Sequence, residues 1–261
     1  NRLYNYLVDD CAKRMQTVVV MCEPDIEVYN KQFDHAVFFA PYPFVNSHFE
    51  QMDAILAAQA AHVPAGDQAP AERAETDDGC LRIQVGHNAF PFNRHVEVVD
   101  MLTRFRTENI KVTFPVAYGD SSYILGTNYV AALESYCKMY LDTPDMVAFQ
   151  TKMLPHDEYK RQLASMDIAI LNAGRHNGLG NILQLLYLGK KVFLAADNPL
   201  RPYLQEKGFE VYHVEDIPLM SFEEFSRPVT KPVPRAWIRD TWGMEGVTHR
   251  WSEVFHHVET K

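Results

Sequence analysis

The chain has 261 residues, of which 47% are hydrophobic and 23% are charged, a composition ordinary for a globular protein with room for a large core. Its formal net charge of −9 argues against non-specific binding of nucleic acid, because such binding depends on clustered lysine and arginine that neutralise phosphates. No apolar run approaches the roughly 20 residues of a membrane-spanning helix, so we expect any membrane contact to be peripheral.

The first residues in chain order predict the end of one domain followed by a linker. The predicted elements are a helix over 2–14, strands over 17–22 and 36–40, and an alanine-rich helix over 48–62. The stretch 63–79 consists almost entirely of Ala, Pro, Gly, Asp and Glu, which is typical of an exposed linker. Because the sequence starts at Asn1 without a signal peptide, we expect a fragment whose earlier residues are absent.

From residue 80 onward, strands and helices alternate regularly. Strands are predicted over 81–85, 111–116, 146–149, 168–171, 192–195 and 210–213. The helices between them are one that carries Val96, Val99 and Leu102 inward, helices over 127–141, 155–165 and 199–207, and an apolar helix after the loop 175–181. Asn93 is the expected N-cap of the first of these helices. This alternation predicts an α/β fold with a doubly wound, Rossmann-like parallel sheet over 80–232, followed by a helical segment over 233–261.

Ligands of such sheets bind beyond the carboxyl ends of the strands, which directs attention to five loops. These are residues 86–94, 117–123, 150–157, 172–181 and 196–199.

The loop between the apolar runs 168–171 and 192–195 predicts an anion site. It reads Arg175-His176-Asn177-Gly178-Leu179-Gly180-Asn181 and leads directly into an apolar helix. Glycines let the backbone approach a ligand closely, and the free N–H groups of a helix N-terminus favour phosphate. The same Asn-Gly pair is also a common turn signal, so the alternative is an ordinary helix start.

The loop after the first strand of the series adds further candidates. Gly86 and Asn88 can offer N–H groups, Arg94 and Arg175 are forked donors for phosphate oxygens, and Tyr118 or Tyr123 can stack on a base. Each has a plainer alternative as a solvated or core residue. His87 is the one candidate for acid or base catalysis, against the alternative of a loop histidine satisfied by its neighbours.

The sequence predicts neither a metal site nor a cofactor. Its histidines are scattered, and the His-Glu-x-x-His, P-loop and Gly-x-Ser-x-Gly motifs are absent. The four cysteines, which are Cys11, Cys22, Cys80 and Cys137, form no Cys-x-x-Cys pair and are interpreted as reduced thiols of a cytoplasmic protein.

Several of these residues together resemble one enzyme family. Asp167, the run Arg175-x-x-Gly178-Leu179-Gly180-Asn181, a leucine-rich helix with Gly189, and Asn198-Pro199 are similar to the donor-binding half of the family 56 glycosyltransferases. Supporting similarities to the same family occur at Val85-Gly86, Asn93, His95, 115–118, Met153-Leu154, Asp157 and Tyr159. The resemblance covers residues 80–204 well and 1–45 loosely.

The resemblance implies a transferase of GT-B architecture. Family 56 enzymes move 4-acetamido-4,6-dideoxygalactose from its TDP derivative to a lipid-linked disaccharide during assembly of enterobacterial common antigen. By this likeness, residues 80–232 form the nucleotide-sugar-binding domain and 1–62 the end of the acceptor-side domain, with 63–79 between them. The enzyme would work without metal in the cytoplasm, with peripheral contact at the inner membrane. A GT-B catalytic base usually comes from the first domain, so the resemblance identifies none here.

The resemblance also implies roles for single residues. Gly178, Leu179 and Gly180 would present N–H groups to the diphosphate, and Arg175 would neutralise the leaving group. The implied diphosphate-binding set is Gly86, Asn88, Arg94, Arg175, Asn177, Gly178, Leu179, Gly180 and Asn181. The implied base- and sugar-binding set is His87, Tyr118, Met153, Leu154 and His176. The apolar loop 87–92 and the segment 119–128 depart from the family pattern, which leaves the base and the sugar open.

Two other functions stay open at the sequence level. A GT-B nucleotide-sugar epimerase uses a similar cradle, although no acidic residue clearly faces the predicted site. A non-catalytic, flavodoxin-like nucleotide-binding or regulatory module would use the 175–181 loop only as a helix start. For the C-terminal aromatics Trp237, Trp242, Trp251 and Phe255 we expect packing rather than a membrane interface.

Overall fold

The computed structural model describes residues 11, 13–31, 34–61, 79–119, 128–141 and 146–260. The chain divides into two compact units, one formed by Gln51–Pro234 and the other by Asn1–Glu50 together with Arg235–Lys261. The division falls inside a helix, twelve residues before the boundary expected at 62. Most of the helix expected over 2–14, and the linker expected over 63–79 except Gly79, lie outside the described residues.

The described elements follow one another along the chain in the order below. The strands are β1 (Thr17–Val20), β2 (Ala36–Phe39), β3 (Leu81–Val85), β4 (Ile110–Pro115), β5 (Val147–Gln150), β6 (Ile168–Leu171), β7 (Lys191–Leu194) and β8 (Val211–His213). The α-helices are α1 (Pro24–Asn30), α2 (Asn46–Ala61), α3 (His95–Leu102), α4 (Tyr129–Tyr140), α5 (His156–Ser165), α6 (Leu179–Tyr187), α7 (Leu200–Glu206), α8 (Phe222–Ser226), α9 (Arg235–Trp242) and α10 (Met244–Glu259). Short 3₁₀ helices cover Pro91–Asn93, Thr103–Phe105 and Val214–Leu219.

The larger unit contains a six-stranded sheet in the order β5-β4-β3-β6-β7-β8. All five pairings are parallel. This is the strand order of the Rossmann fold, in which the chain reverses its winding direction between the two central strands. The reversal opens a crevice at the carboxyl ends of β3 and β6, and the loops after these strands border it.

Burial explains why these segments form the sheet. All four residues of β6 and all four of β7 are buried, as expected for strands covered on both faces. The helix α6 is buried along six consecutive residues, Ile182–Tyr187. A core of aliphatic and aromatic side chains, including Ile83, Phe114 and Phe193, holds the strands together. The sheet is therefore a rigid support for its edge loops.

The predicted elements within the described residues agree with the observed ones to within about two residues. The helices α1 and α8 and the three short 3₁₀ helices were not predicted. The prediction that Asn93 caps α3 is wrong, because the N-cap is Arg94, which has a left-handed backbone with φ 50°. Asn93 instead ends a 3₁₀ helix and is fully buried.

The smaller unit contains the parallel pair β1–β2 and the helices α1, α9 and α10. The expected packing of C-terminal aromatics is observed for two of them. Trp242 is buried against Phe39, with ring centroids 5.6 Å apart, and Trp251 donates its indole N–H to the carbonyl of Pro41 at 3.2 Å. Phe255 is 59% exposed, and its ring lies 5.8 Å from that of Trp251. Within the described ranges, no helix is long and apolar enough to cross a membrane.

Candidate functional site

The ends of β3 and β6 are joined directly at the crevice. The N–H of Gly86 donates to the carbonyl of Ile170 at 2.9 Å, which joins the loop after β3 to the strand β6. Gly86 has φ +69°, and a Cβ atom there would collide with the ring of His95. The position requires glycine for both reasons.

Asn88 and Asn93 fold the loop after β3 into a compact turn. The Oδ1 of Asn88 accepts the N–H of Phe90 at 3.0 Å and the Nδ2 of Asn93 at 2.7 Å. The same Nδ2 donates to the carbonyls of Asn88 and Phe90 at 3.2 and 3.0 Å. Asn93 thus serves the loop rather than the helix, which is the physical reason why it does not cap α3.

His87 lies beneath this turn with one ring nitrogen unused. Its side chain is 95% buried, since its relative exposure is 5%, and its Nε2 lies 2.8 Å from the Nδ2 of Asn88. Its Nδ1 is buried and has no hydrogen-bond partner among the described residues. Burial lowers the pKa of His87 to about 4, and the nearby side chain of Asn93 raises the pKa to a smaller extent. The imidazole is therefore neutral at physiological pH.

His95, at the start of α3, is a second buried histidine in the same region. Its Nδ1 lies 2.9 Å from the hydroxyl of Tyr129, and its Nε2 faces Gly86. Burial, together with the Coulombic effect of His87, lowers the pKa of His95 to about 4. Burial also raises the pKa of the Tyr129 hydroxyl to about 12. Both imidazoles and this phenol are consequently uncharged.

The helix α6 begins directly after Gly178, in the loop that follows β6. This glycine is the N-cap residue with φ +73°, and no side chain of the described residues caps the helix. The first N–H groups of any α-helix lack an intrahelical acceptor, so those of Leu179, Gly180 and Asn181 are available to a ligand. A Cβ atom on Gly178 would lie 2.9 Å from the Nδ1 of His87. The ring of His87 thus lies beside the helix start, with its face turned to Gly178.

Asn198 holds the Arg175 loop in place from the neighbouring strand connection. Its Nδ2 donates to the carbonyls of Ala173 and Arg175 at 2.9 and 3.0 Å, and its Oδ1 accepts the N–H of Leu200 at 3.0 Å. The exposed guanidinium of Arg175 lies over the ring of Phe92, 4.8 Å from its centroid. The apolar loop that departs from the family pattern therefore supports the arginine.

Arg94 does not stand free at this edge. Its guanidinium pairs with the carboxylate of Asp197, at 3.0 Å, and this hydrogen bond raises the pKa of Arg94. Asp197 also lies against Gly174, where a Cβ atom would collide with the carboxylate. The expectation that no acidic residue clearly faces the site is therefore wrong. Spacing along the sequence gave no signal for Asp197, because its partner lies 103 residues away.

The remaining candidates are distributed around the same edge. The carbonyl of Tyr118 accepts the N–H of Ala89 at 2.7 Å, and its side chain is 48% exposed. Asn181 accepts the hydroxyl of Tyr159 at 2.9 Å, so one candidate side chain is already engaged. The Nδ2 of Asn177 is buried without a partner in the described structure. Met153 is 69% exposed, whereas Leu154 and His176 are half-buried. Tyr123 lies outside the described residues.

Comparison with known families decides the classification. Residues 46–227, more than half of the chain, match the model of the family described as 4-alpha-L-fucosyltransferase, glycosyl transferase group 56. The chain belongs to glycosyltransferase family 56. The family predicted from the sequence is confirmed. The match includes the loops after β3, β4, β5, β6 and β7, and so spans the whole carboxyl edge from Gly86 to Asn198.

Solved structures of similar fold support the architecture of this family 56 chain. A sucrose-phosphate synthase from Thermosynechococcus elongatus has 12% identity and a TM-score of 0.65, covering 100% of this chain and 62% of its own. A UDP-forming α,α-trehalose-phosphate synthase from Burkholderia xenovorans has 12% identity and a TM-score of 0.61, with 97% and 63% covered. An E. coli structure, described as trehalose-6-phosphate bound with UDP-2-fluoro glucose, has 12% identity and a TM-score of 0.57, with 97% and 62% covered.

These likenesses bear on the fold alone. The chain spans less than two thirds of the length of each of the three structures. Their architecture is the GT-B fold, and the predicted α/β fold of this type is confirmed.

Proposed function

We propose that the crevice between β3 and β6 binds the diphosphate of a nucleotide-sugar donor, and that the protein is a glycosyltransferase. The observation that carries this proposal is the pairing of an uncapped helix start at Gly178 with the buried, unpartnered Nδ1 of His87, which lies beside it. Buried polar atoms normally have partners, so an unpartnered one beside a helix N-terminus indicates a bound group. Membership of family 56 supplies the reaction class.

The diphosphate is proposed to bind mainly to backbone groups. The N–H groups of Leu179 and Gly180 are the principal donors, supported by Gly178, Asn177, Asn181, Gly86 and Asn88. Arg175, held over Phe92 at an exposed position, neutralises the charge that develops on the leaving group without a metal ion. Arg94 joins it when its guanidinium is shared between Asp197 and a phosphate oxygen.

The donor and acceptor follow from the resemblance rather than from the geometry. The proposed donor is a TDP-sugar carrying 4-acetamido-4,6-dideoxygalactose. This sugar is fucose with an acetamido group at C4, which agrees with the fucosyltransferase in the description of the family. Tyr118, Met153, Leu154 and His176 are proposed to border the base and the sugar. The acceptor is a lipid-linked saccharide, which requires peripheral contact with the cytoplasmic face of the inner membrane.

Calorimetric titration of the chain with TDP, UDP and GDP tests the donor site. We expect TDP to bind most tightly and Arg175→Ala to weaken it about tenfold or more, because a charge-assisted hydrogen bond is worth about 1.5–3 kcal/mol. Arg161→Ala is the matched control, since Arg161 is exposed on α5. If none of the three nucleotides binds, the proposal fails.

A nucleotide-sugar epimerase remains the second candidate, because two carboxylates lie near the crevice. Asp197 faces Arg94, and Glu97 accepts the amide of Asn172 at 3.3 Å. Incubation of the full-length protein with the TDP-sugar separates the two functions. Consumption of the donor only in the presence of a lipid-linked acceptor supports transfer, whereas a new sugar isomer formed without acceptor supports epimerisation.

A further inference from the structure

The exposed guanidinium of Arg175 rests on an aromatic ring of the loop after β3. Its central carbon lies over Phe92, 4.8 Å from the ring centroid. Among the described residues, its N–H groups have no hydrogen-bond or ion-pair partner. A guanidinium carries several N–H donors, and an aromatic ring has no oxygen or nitrogen acceptor. The contact with Phe92 therefore attracts the cation while leaving its hydrogen-bond donors available to a ligand.

The ring of Phe92 is itself held in place by its loop. It stacks on the ring of Phe90, with centroids 5.2 Å apart and planes inclined by 20°. Phe90 is fixed by two asparagines, since its N–H donates to Asn88 Oδ1 at 3.0 Å and its carbonyl accepts Asn93 Nδ2 at 3.0 Å. Pro91, between the two aromatic residues, has a restricted φ. Phe92 therefore offers the cation a preformed surface.

The two arginines of this edge differ in how their donors are used. The backbone of Arg175 is fixed by Asn198, whose Nδ2 donates to its carbonyl at 3.0 Å, while its guanidinium donors stay unused. The guanidinium of Arg94 is already paired with the carboxylate of Asp197 at 3.0 Å. An incoming anion has to compete with Asp197 for Arg94, whereas Arg175 is both positioned and unoccupied within the described structure.

We propose that Phe92 is a positioning residue for donor binding, whose ring holds the guanidinium of Arg175 where the diphosphate of the nucleotide sugar binds. This inference rests on the proposed function, because it takes the diphosphate to be the ligand of Arg175. A long side chain loses rotamer freedom when it binds a ligand, and a ring that already restricts it lowers that cost. The strength of an exposed cation–π contact corresponds to a change in affinity of about two- to fivefold.

The contact is measurable without any ligand. Protons above the face of an aromatic ring resonate upfield, so the NMR signals of the Arg175 side chain, assigned with Arg175→Lys, report its position over Phe92. We expect the upfield shift to disappear in Phe92→Leu and to persist in Phe92→Tyr, which keeps the ring. Unchanged Arg175 signals in Phe92→Leu overturn the inference and leave the donor-site proposal intact.

Calorimetric titration with TDP and with inorganic pyrophosphate tests the effect on binding. We expect Phe92→Leu to weaken both ligands about two- to fivefold and Phe92→Tyr to keep the wild-type affinity. In an Arg175→Ala background, Phe92→Leu should have no further effect, because the ring then has no cation to hold. Tyr203→Leu is the matched control, since it removes the ring beneath Lys207 on α7 and should bind both ligands normally.

Thermal unfolding identifies which variants are folded, and Phe92→Met replaces Phe92→Leu if the latter unfolds. Equal affinity of wild type and the Phe92 variant overturns the inference, and so does an equal weakening with and without Arg175. Both results leave the donor site in place. A wild-type chain that binds neither pyrophosphate nor any nucleotide overturns the proposed function as well.

Discussion

The amino ends and the carboxyl ends of the strands in the six-stranded sheet differ in whether their buried polar groups have hydrogen-bond partners. At the amino ends of the strands, which form the paired edge, Lys191 is buried. Its ammonium donates to the carbonyls of Glu224, Phe225 and Arg227 at 2.6, 3.0 and 3.3 Å. There too, Asp167 accepts the N–H of Arg82 at 2.8 Å. At the carboxyl ends of the strands, which form the unpaired edge, several buried side-chain atoms have no partner in the described structure, among them His87 Nδ1, Asn93 Oδ1, His95 Nε2 and Asn177 Nδ2.

This difference separates stability from function in one sheet. A buried donor or acceptor without a partner costs about 1–3 kcal/mol, so a group of them is not kept for the fold. The hydrogen bonds of the paired edge stabilise the Rossmann unit. The polar atoms of the unpaired edge are available to bind a ligand. Substitutions at the paired edge should therefore change mainly stability, and substitutions at the unpaired edge should also change ligand affinity.

The largest expected effect is the loss of stability on acidification. His87 and His95 have a pKa of about 4 in the folded chain, against 6.5 for an unperturbed histidine. Between these values the unfolded chain binds protons that the folded chain does not, so stability falls as the pH falls through this window. From pH 7 to pH 5 we expect a loss of about 2 kcal/mol for each histidine, or about 4 kcal/mol for both.

Urea denaturation at both pH values measures this loss, with the double variant His87→Asn, His95→Asn for comparison. The double variant should show a much flatter dependence on pH. His156→Asn is the control, because His156 is exposed on α5 and should leave the dependence unchanged. A double variant as pH-sensitive as the wild type would show that these imidazoles protonate freely in the folded state.

At the paired edge, Lys191→Met should lower the free energy of unfolding by about 3 kcal/mol. The reason is that three carbonyls at the end of α8 lose their donor, while methionine keeps the aliphatic part of the side chain. Lys111→Met, on the exposed side of β4, should change stability by less than about 0.5 kcal/mol. Both are measured by urea denaturation. Affinity for TDP should stay at the wild-type value in folded Lys191→Met, and a weakened affinity would contradict the separation of the two edges.

The sequence was sufficient for the fold because the signals of the sheet are local. Alternating apolar runs and helices over residues 80–213 predict the parallel sheet, and the glycine pair at 178 and 180 predicts the helix start. The structure places both where the periodicity indicates. Local patterns of this kind depend only on neighbouring residues, which is why they can be read without coordinates.

The details of the edge depend on contacts between residues far apart in sequence. Asn93 resembles an N-cap by position, but its amide is taken up by Asn88 and Phe90. The pairing of Arg94 with Asp197, and the approach of His87 to Gly178, arise only when the strands are aligned. No spacing rule reports such contacts. The role of each binding residue therefore stays a prediction that mutagenesis must test.

Asn198→Ala should affect both stability and binding, since Asn198 joins the two loops beside the crevice. Loss of its three hydrogen bonds should lower the free energy of unfolding by about 2 kcal/mol and release the Arg175 loop. We expect weaker TDP binding as well. Asn128→Ala, which removes the N-cap of α4, should cost about 1 kcal/mol without changing the affinity. Equal effects of the two variants on affinity would contradict the role of Asn198 in placing Arg175.

The smallest effects are expected at the two glycines of the helix start, and they should have opposite signs. Gly178→Ala requires a left-handed alanine, at about 1–2 kcal/mol, and its Cβ would lie 2.9 Å from His87 Nδ1. Gly180→Ala meets nothing within 4 Å and should stabilise the helix by about 0.5–1 kcal/mol. Thermal unfolding and TDP titration of both variants distinguish them. Because the methyl group of Gly178→Ala would press on the face of the His87 ring, this variant alone should displace the imidazole. If Gly180→Ala weakens TDP binding more than Gly178→Ala, the diphosphate contacts the first turn of α6 and not the space between Gly178 and His87.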